Sequence, residues 1–156
     1  MSKGDNFGKD YETCISLQGL MQRNNQFLVL KPIDDISLVK GIIGAAAYSI
    51  GLSYHLNVFS LSQGHPTLIL YTGDYYKIKS EGLISYYAPP NRSVNFAEVS
   101  IGQAVDYVHE IEENYHEVCI GIKQVNKKIF ENNDWTIKEL RKKLIENNLI
   151  DESKVA

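Results

Sequence analysis

The sequence predicts an α+β fold: an antiparallel β-meander of four to five strands packed against helices, with a helical C-terminal half. Two observations carry that expectation. Between Tyr54 and Ala88 apolar residues alternate with a period near two, and the run is broken repeatedly by turn residues. From Ser100 onward the spacing changes to steps of three and four, the signature of an amphipathic helix.

Taken in order, the elements are justified as follows. Residues 1–10 are polar and glycine-bearing, and poor order is expected there. Over 11–53 the pattern reads as an N-terminal element, a strand and a helix. YETCISLQGLMQ has a weak apolar period that suits helix or strand, and QFLVLKP is a β-type run that Pro32 ends. DDISLVKGIIGAAAYSIG follows as a helix capped by Asp34 or Asp35. Its run GIIGAAAYSIGL is about a dozen residues long, short of the ~20 that a bilayer requires. The GxxG within it lacks the exposed basic centre that an RNA-gripping loop needs. Small residues there instead predict close approach by a neighbouring element.

Over 54–99 the strands are YHLNVFSL, TLILYT, YYKIKS and LISYYA, with SVNFAEVS as a fifth, joined by SQGHP, GD, EG and APPNR. TLILY is apolar on both faces and predicts the central strand. Over 100–148 Ser100 caps a helical stretch that continues to Ile129, either unbroken or interrupted near Asn114 or Gly121. A last helix starts at Thr136, with Glu139 completing a capping box, and buries Ile137, Leu140 and Leu144 before ending near Asn147. The expectation is a single domain over 1–156.

Composition restricts the function classes. With 156 residues, 44% apolar and 22% charged, the chain can build its own core. A net charge of −3 makes nucleic acid an unpromising partner. Cys14 and Cys119 stand far apart with no metal-binding spacing, as reduced thiols would. MSKGDNFGKDYETC has no apolar core of the secretory kind, so a cytoplasmic protein with no membrane partner is expected. None of the common phosphate-loop, dinucleotide, nucleophile-elbow or zinc-protease motifs is present.

Two constellations remain. Ten tyrosines, against five phenylalanines and one tryptophan, include Tyr75, Tyr76, Tyr86 and Tyr87 on the expected meander. Such rings offer stiff, amphipathic contact area of the kind enriched at protein interfaces. The stretch from Glu98 to Glu117 is acidic with no Lys or Arg, and Glu110, Glu113 and Glu117 on it would attract a basic partner. On a continuous helix His109, Glu113 and His116 would share a face, and Glu113-x-x-His116 has the form found in di-iron bundles. The second such motif that those bundles need is missing.

The sequence therefore predicts a non-catalytic protein-binding protein needing no cofactor, such as an immunity-type inhibitor that masks a basic toxin domain through an acidic, tyrosine-rich surface. The alternative is a small enzyme or metal- or ligand-binding protein using His109, Glu113 and His116. A nucleic-acid accessory role resting on the basic TIKELRKK segment is weaker.

Overall fold

A computed structural model describes residues 5–147, apart from the side chains of residues 5–9 and 24. Its contacts fall into two units, Met1–Ile42 and Ile43–Ala156.

The first unit contains helix α1 (Asp5–Leu20), a 3-10 turn (Asn24–Gln26) and most of helix α2 (Ile36–Gly44). Asp35 starts α2 as the sequence predicts, its Oδ1 accepting from the backbone N–H of Ser37 at 2.8 Å and of Leu38 at 3.4 Å. QFLVLKP joins no ladder, so the strand expected there does not form. α2 is also shorter than predicted. It ends at Gly44, and the alanines beyond lie in turns leading to a strand. The close approach expected of the small residues is real at Gly44, where a Cβ would collide with the side chain of Gln63, and absent at Gly41, which faces open space.

The second unit overturns the predicted meander. Three parallel strands, β1 (Ser49–Gly51), β2 (Thr67–Tyr71) and β3 (Arg92–Asn95), form one sheet in sequence order. Helix α3 (Tyr54–Ser62) connects β1 to β2, and helix α4 (Gly73–Ile84) connects β2 to β3. β2 is the central strand, as TLILY implied, with Leu68 and Ile69 both buried. The SVNFAEVS strand exists only as Arg92–Asn95, after the two prolines.

YHLNVFSL and YYKIKS are helical, and the pattern hid this because most of their buried positions are polar. α3 buries Asn57, Ser60 and Leu61, and α4 buries Ser80. These positions lie three and four apart in α3, yet Asn and Ser at them look like solvent positions in a hydrophobicity reading. The turn signals were equally ambiguous. SQGHP is a helix C-terminus: Gly64 at φ +87°, its N–H donating to Leu61 O, and His65 N–H donating to Ser60 O form a Schellman cap. GD begins α4, and EG lies inside it.

A chain of buried polar groups locks this unit. Ser49 Oγ donates to Thr67 Oγ1 (2.9 Å), which donates to Asn57 Oδ1 (2.6 Å). Asn57 Nδ2 donates to the carbonyls of Gly51 (3.2 Å) and Ser53 (2.9 Å). The Thr67 N–H donates to Asn91 Oδ1 (3.1 Å), just ahead of β3. Thr67 points toward α3, so its β2 neighbours Leu68 and Leu70 face the other side of the sheet, Leu68 level with Ile50 and Arg92 and Leu70 level with Val94.

Helix α5 (Ile101–Glu113) opens with the capping box of Ser100 and Gln103 and stops at Asn114. Helix α6 (Tyr115–Glu146) then runs unbroken for 32 residues. No last helix starts at Thr136: its hydroxyl donates to Asn132 O at 2.8 Å, one turn back within α6. Val118 and Ile122 of α6 pack with Leu61, and Leu83, Ile84 and Tyr87 close over that cluster. Among the described residues no helix is long and apolar enough to cross a membrane.

Two measurements check this reading. Asn57→Ala is expected to lower the unfolding free energy in urea by about 2–4 kcal/mol, because it removes three hydrogen bonds and strips the Thr67 hydroxyl of its buried acceptor. A loss under about 1 kcal/mol would show that the network carries little. Thr136→Ala is expected to stay within about 0.5 kcal/mol of wild type, since an interior helix position accepts alanine readily; a true cap would lose about 1 kcal/mol.

Candidate interaction surface

The meander tyrosines are not on strands. Tyr75 and Tyr76 occupy the first turn of α4, their rings edge to face at 5.2 Å between centroids, and both are exposed. Tyr86 is exposed just beyond the other end of α4. Eight residues of helix, about 12 Å, separate Tyr76 from the last residue of α4, so the single tyrosine surface expected from the sequence is divided in two. Tyr87 has a different task. Half-buried against the Leu61 cluster, it donates its hydroxyl to Asn126 Oδ1 (2.9 Å), and Asn126 Nδ2 donates to Leu61 O (2.6 Å). Burial holds the Tyr87 hydroxyl pKa above the usual tyrosine value.

The acidic residues also separate. Glu110 is held by Arg92 of β3 in an ion pair, and the same guanidinium lies 4.3 Å from the Tyr107 ring centroid. That carboxylate is engaged within the unit. Glu112, which the sequence did not single out, accepts from the Tyr48 hydroxyl (3.0 Å) and lies 3.4 Å from His109 Nδ1. Burial and then the Glu112 carboxylate raise the Tyr48 pKa. Glu113 and Glu117 are exposed on either side of the break between α5 and α6.

The break at Asn114 decides the His109, Glu113 and His116 arrangement. His109 and Glu113 belong to α5 and His116 to α6, so they do not share one helical face. Among the described residues no group of three or more His, Cys, Asp or Glu is placed to hold a metal ion. Cys14 and Cys119 are free thiols. His65 sits in the α3 cap with a buried Nδ1 that has no hydrogen-bond partner, while His55 lies in the first turn of α3 with its ring 6.0 Å from that of Tyr54.

A further exposed apolar feature lies partly where the sequence expected core. Beyond Ile122 no α6 residue is buried, yet the helix continues for six turns. Phe130 (73% exposed), Trp135 (66%), Ile137 (63%) and Leu140 (56%) stand in solvent. Ile137 and Leu140 were expected to be buried, with Leu144, by a separate last helix; Leu144 is only half-buried. The signal was present in the sequence as apolar residues at helical spacing. Periodicity reports an apolar face and not what covers it.

No protein-family model matches the chain, and neither a curated protein nor a solved structure is significantly similar to it.

Tyr87→Phe separates the structural tyrosine from the exposed ones. It is expected to cost about 1 kcal/mol at neutral pH through the lost hydrogen bond to Asn126. With its folded pKa above its unfolded value near 10, Tyr87 contributes stability that is full below pH ~10 and declines as pH rises further. The variant should therefore lose less stability than wild type between pH ~9.5 and ~11, measured by urea midpoints. Equal slopes would place the hydroxyl in a solvated setting.

Proposed function

We propose that this is a non-catalytic protein-binding protein whose principal contact surface is the outer half of α6. The exposed stripe of Phe130, Ile137 and Leu140 on one side of α6 carries that reading. Moving such side chains out of water is worth about 1.5–3 kcal/mol each, and aromatic anchors dominate the energetics of most interfaces. The neighbouring charges have already found partners within the helix. Lys138 meets Asp134 at 2.7 Å, Lys127 meets Glu131 at 3.9 Å and Lys142 meets Glu146 at 4.0 Å, each one turn away. These pairs offset part of the charge on a flank where six Lys and Arg stand against four Asp and Glu over 127–146, and they keep it soluble.

An inhibitor that masks a toxin domain is one form such a protein takes. The exposed Glu113 and Glu117 suit a basic partner, whereas Glu110 is engaged by Arg92. Exposed Tyr75, Tyr76 and Tyr86 offer further aromatic contact area on and beside α4.

With Trp135, the only tryptophan in the chain and on the other side of α6, replaced by Phe, the further change Phe130→Trp puts the sole indole within the stripe, so its emission reports on whether the stripe is covered. Addition of the partner recovered from the native cell is expected to shift that emission to the blue. Ile137→Glu/Leu140→Glu should abolish recovery while leaving the urea midpoint within the equivalent of about 0.5 kcal/mol of wild type, since both residues are exposed. Undiminished recovery by that variant, or unshifted emission at saturation, would rule the stripe out as the contact.

A further inference from the structure

The carboxyl ends of β1 and β2 open into a cavity of about 510 Å³, lined chiefly by Tyr54, His55, Tyr71, Tyr75, Tyr76 and Lys79. We propose that this cavity binds a small phosphorylated aromatic molecule, its flat ring stacked among the tyrosines and its phosphate met by Lys79. This site is independent of the α6 surface.

Side-chain chemistry argues for both halves of that ligand. Lys79 Nζ lies 4.7 Å from the Tyr54 ring centroid and 5.1 Å from that of Tyr75, so two rings hold one ammonium between them. Among the described residues no carboxylate lies within ion-pair distance of Lys79, although its neighbour Lys77 reaches Glu81. No Asp or Glu lines the cavity. Its potential is therefore set by a cation, with His55 as a second basic group on the wall. An entering anion meets a positive charge already positioned by packing, and four phenol rings give a planar group surfaces on which to stack. The volume falls in the range of small-molecule pockets and suits a mononucleotide better than a bare ion.

The backbone adds to this without carrying it. Both crossover helices begin at the cavity, at Ser53 and Thr72, and their first-turn N–H groups favour negative charge. Thr72, on the cavity wall, makes no side-chain cap bond to α4. In open α/β sheets, ligands characteristically lie beyond the carboxyl ends of the strands.

Calorimetry with AMP, phenyl phosphate, adenosine and inorganic phosphate tests the proposal on the full chain. AMP or phenyl phosphate is expected to bind saturably with one-to-one stoichiometry, and the stronger of the two identifies the class of ring. Lys79→Gln should weaken that ligand about tenfold or more and leave weak adenosine binding unchanged, while Tyr75→Ala should weaken the phosphate ester and adenosine alike. Tyr75 is exposed, so the urea midpoint of its variant should match wild type and exclude misfolding as the cause. No saturable binding of either ester at concentrations up to about 10 mM would overturn the proposal, as would an affinity indifferent to Lys79→Gln. Inorganic phosphate binding as tightly as the esters would overturn the aromatic half of it.

Discussion

The second unit depends on the hydrogen bonds that converge on Asn57 and Thr67. Both side chains are fully buried, and both exchange hydrogen bonds with more than one element. A β1 of three residues forms too short a ladder to fix its own register against β2. The Ser49–Thr67–Asn57 chain supplies what the ladder lacks, because hydrogen bonds in a dry interior are directional and costly to leave unmade. Asn57 also accounts for the turn from β1 into α3. Its amide group donates to the carbonyls of Gly51 and Ser53 where strand gives way to helix, and its backbone N–H donates to the Ser53 carbonyl as well.

With that seam in place, the positions of the functional residues follow from connectivity. Parallel strands joined by helices send every strand-to-helix turn to one end of the sheet and every helix-to-strand turn to the other. Tyr54, His55, Tyr75 and Tyr76 follow strand-to-helix turns, which brings them together although some twenty positions separate the pairs in sequence. Leu61, Leu83, Ile84 and Tyr87 lie at the opposite ends of the same helices, where the first turns of α6 cover them. α4 thus carries a polar-aromatic start and an apolar finish, with Ser80 buried between them.

How much of this was legible in the residues depends on whether burial coincided with hydrophobicity. TLILY declared a central strand because Leu68 and Ile69 are apolar and buried on opposite faces. The caps at Ser100 and Asp35 were legible because cap chemistry is local, whereas the break at Asn114 stood in the residues only as one of several options. α3 and α4 were hidden because their inward faces include Asn57, Ser60 and Ser80, polar residues that a hydrophobicity pattern reads as solvent-facing. The adjacent tyrosines then misled, since Tyr-Tyr is at home in a strand yet sits in the first turn of a helix here. Thr136 misled in the other direction. Its capping box is chemically sound, but a capping box competes with continuation of the helix, and here the Thr136 hydroxyl bonds back to Asn132 O within a continuous α6. The cavity could not be inferred at all, because an antiparallel meander would have dispersed the residues that line it.

The two proposed surfaces sit on different parts of one framework, and that separation has a physical consequence. The cavity lies at the start of α4, and the α6 attachment lies at its end, about 18 Å along the helix axis. A ligand in the cavity touches side chains of the first two turns, Tyr75, Tyr76 and Lys79, none of which packs in the Leu61 cluster. Any influence of that ligand on α6 would have to pass through displacement of α4 as a rigid rod. The buried Ser80, with Leu83 and Ile84 seated against Leu61, opposes such movement because a packed interior resists small shifts. Loss of the Asn57 seam, in contrast, would loosen α3 and β2 together and disturb both ends of the unit. The two surfaces are therefore energetically separate while the unit is folded, and linked through its stability.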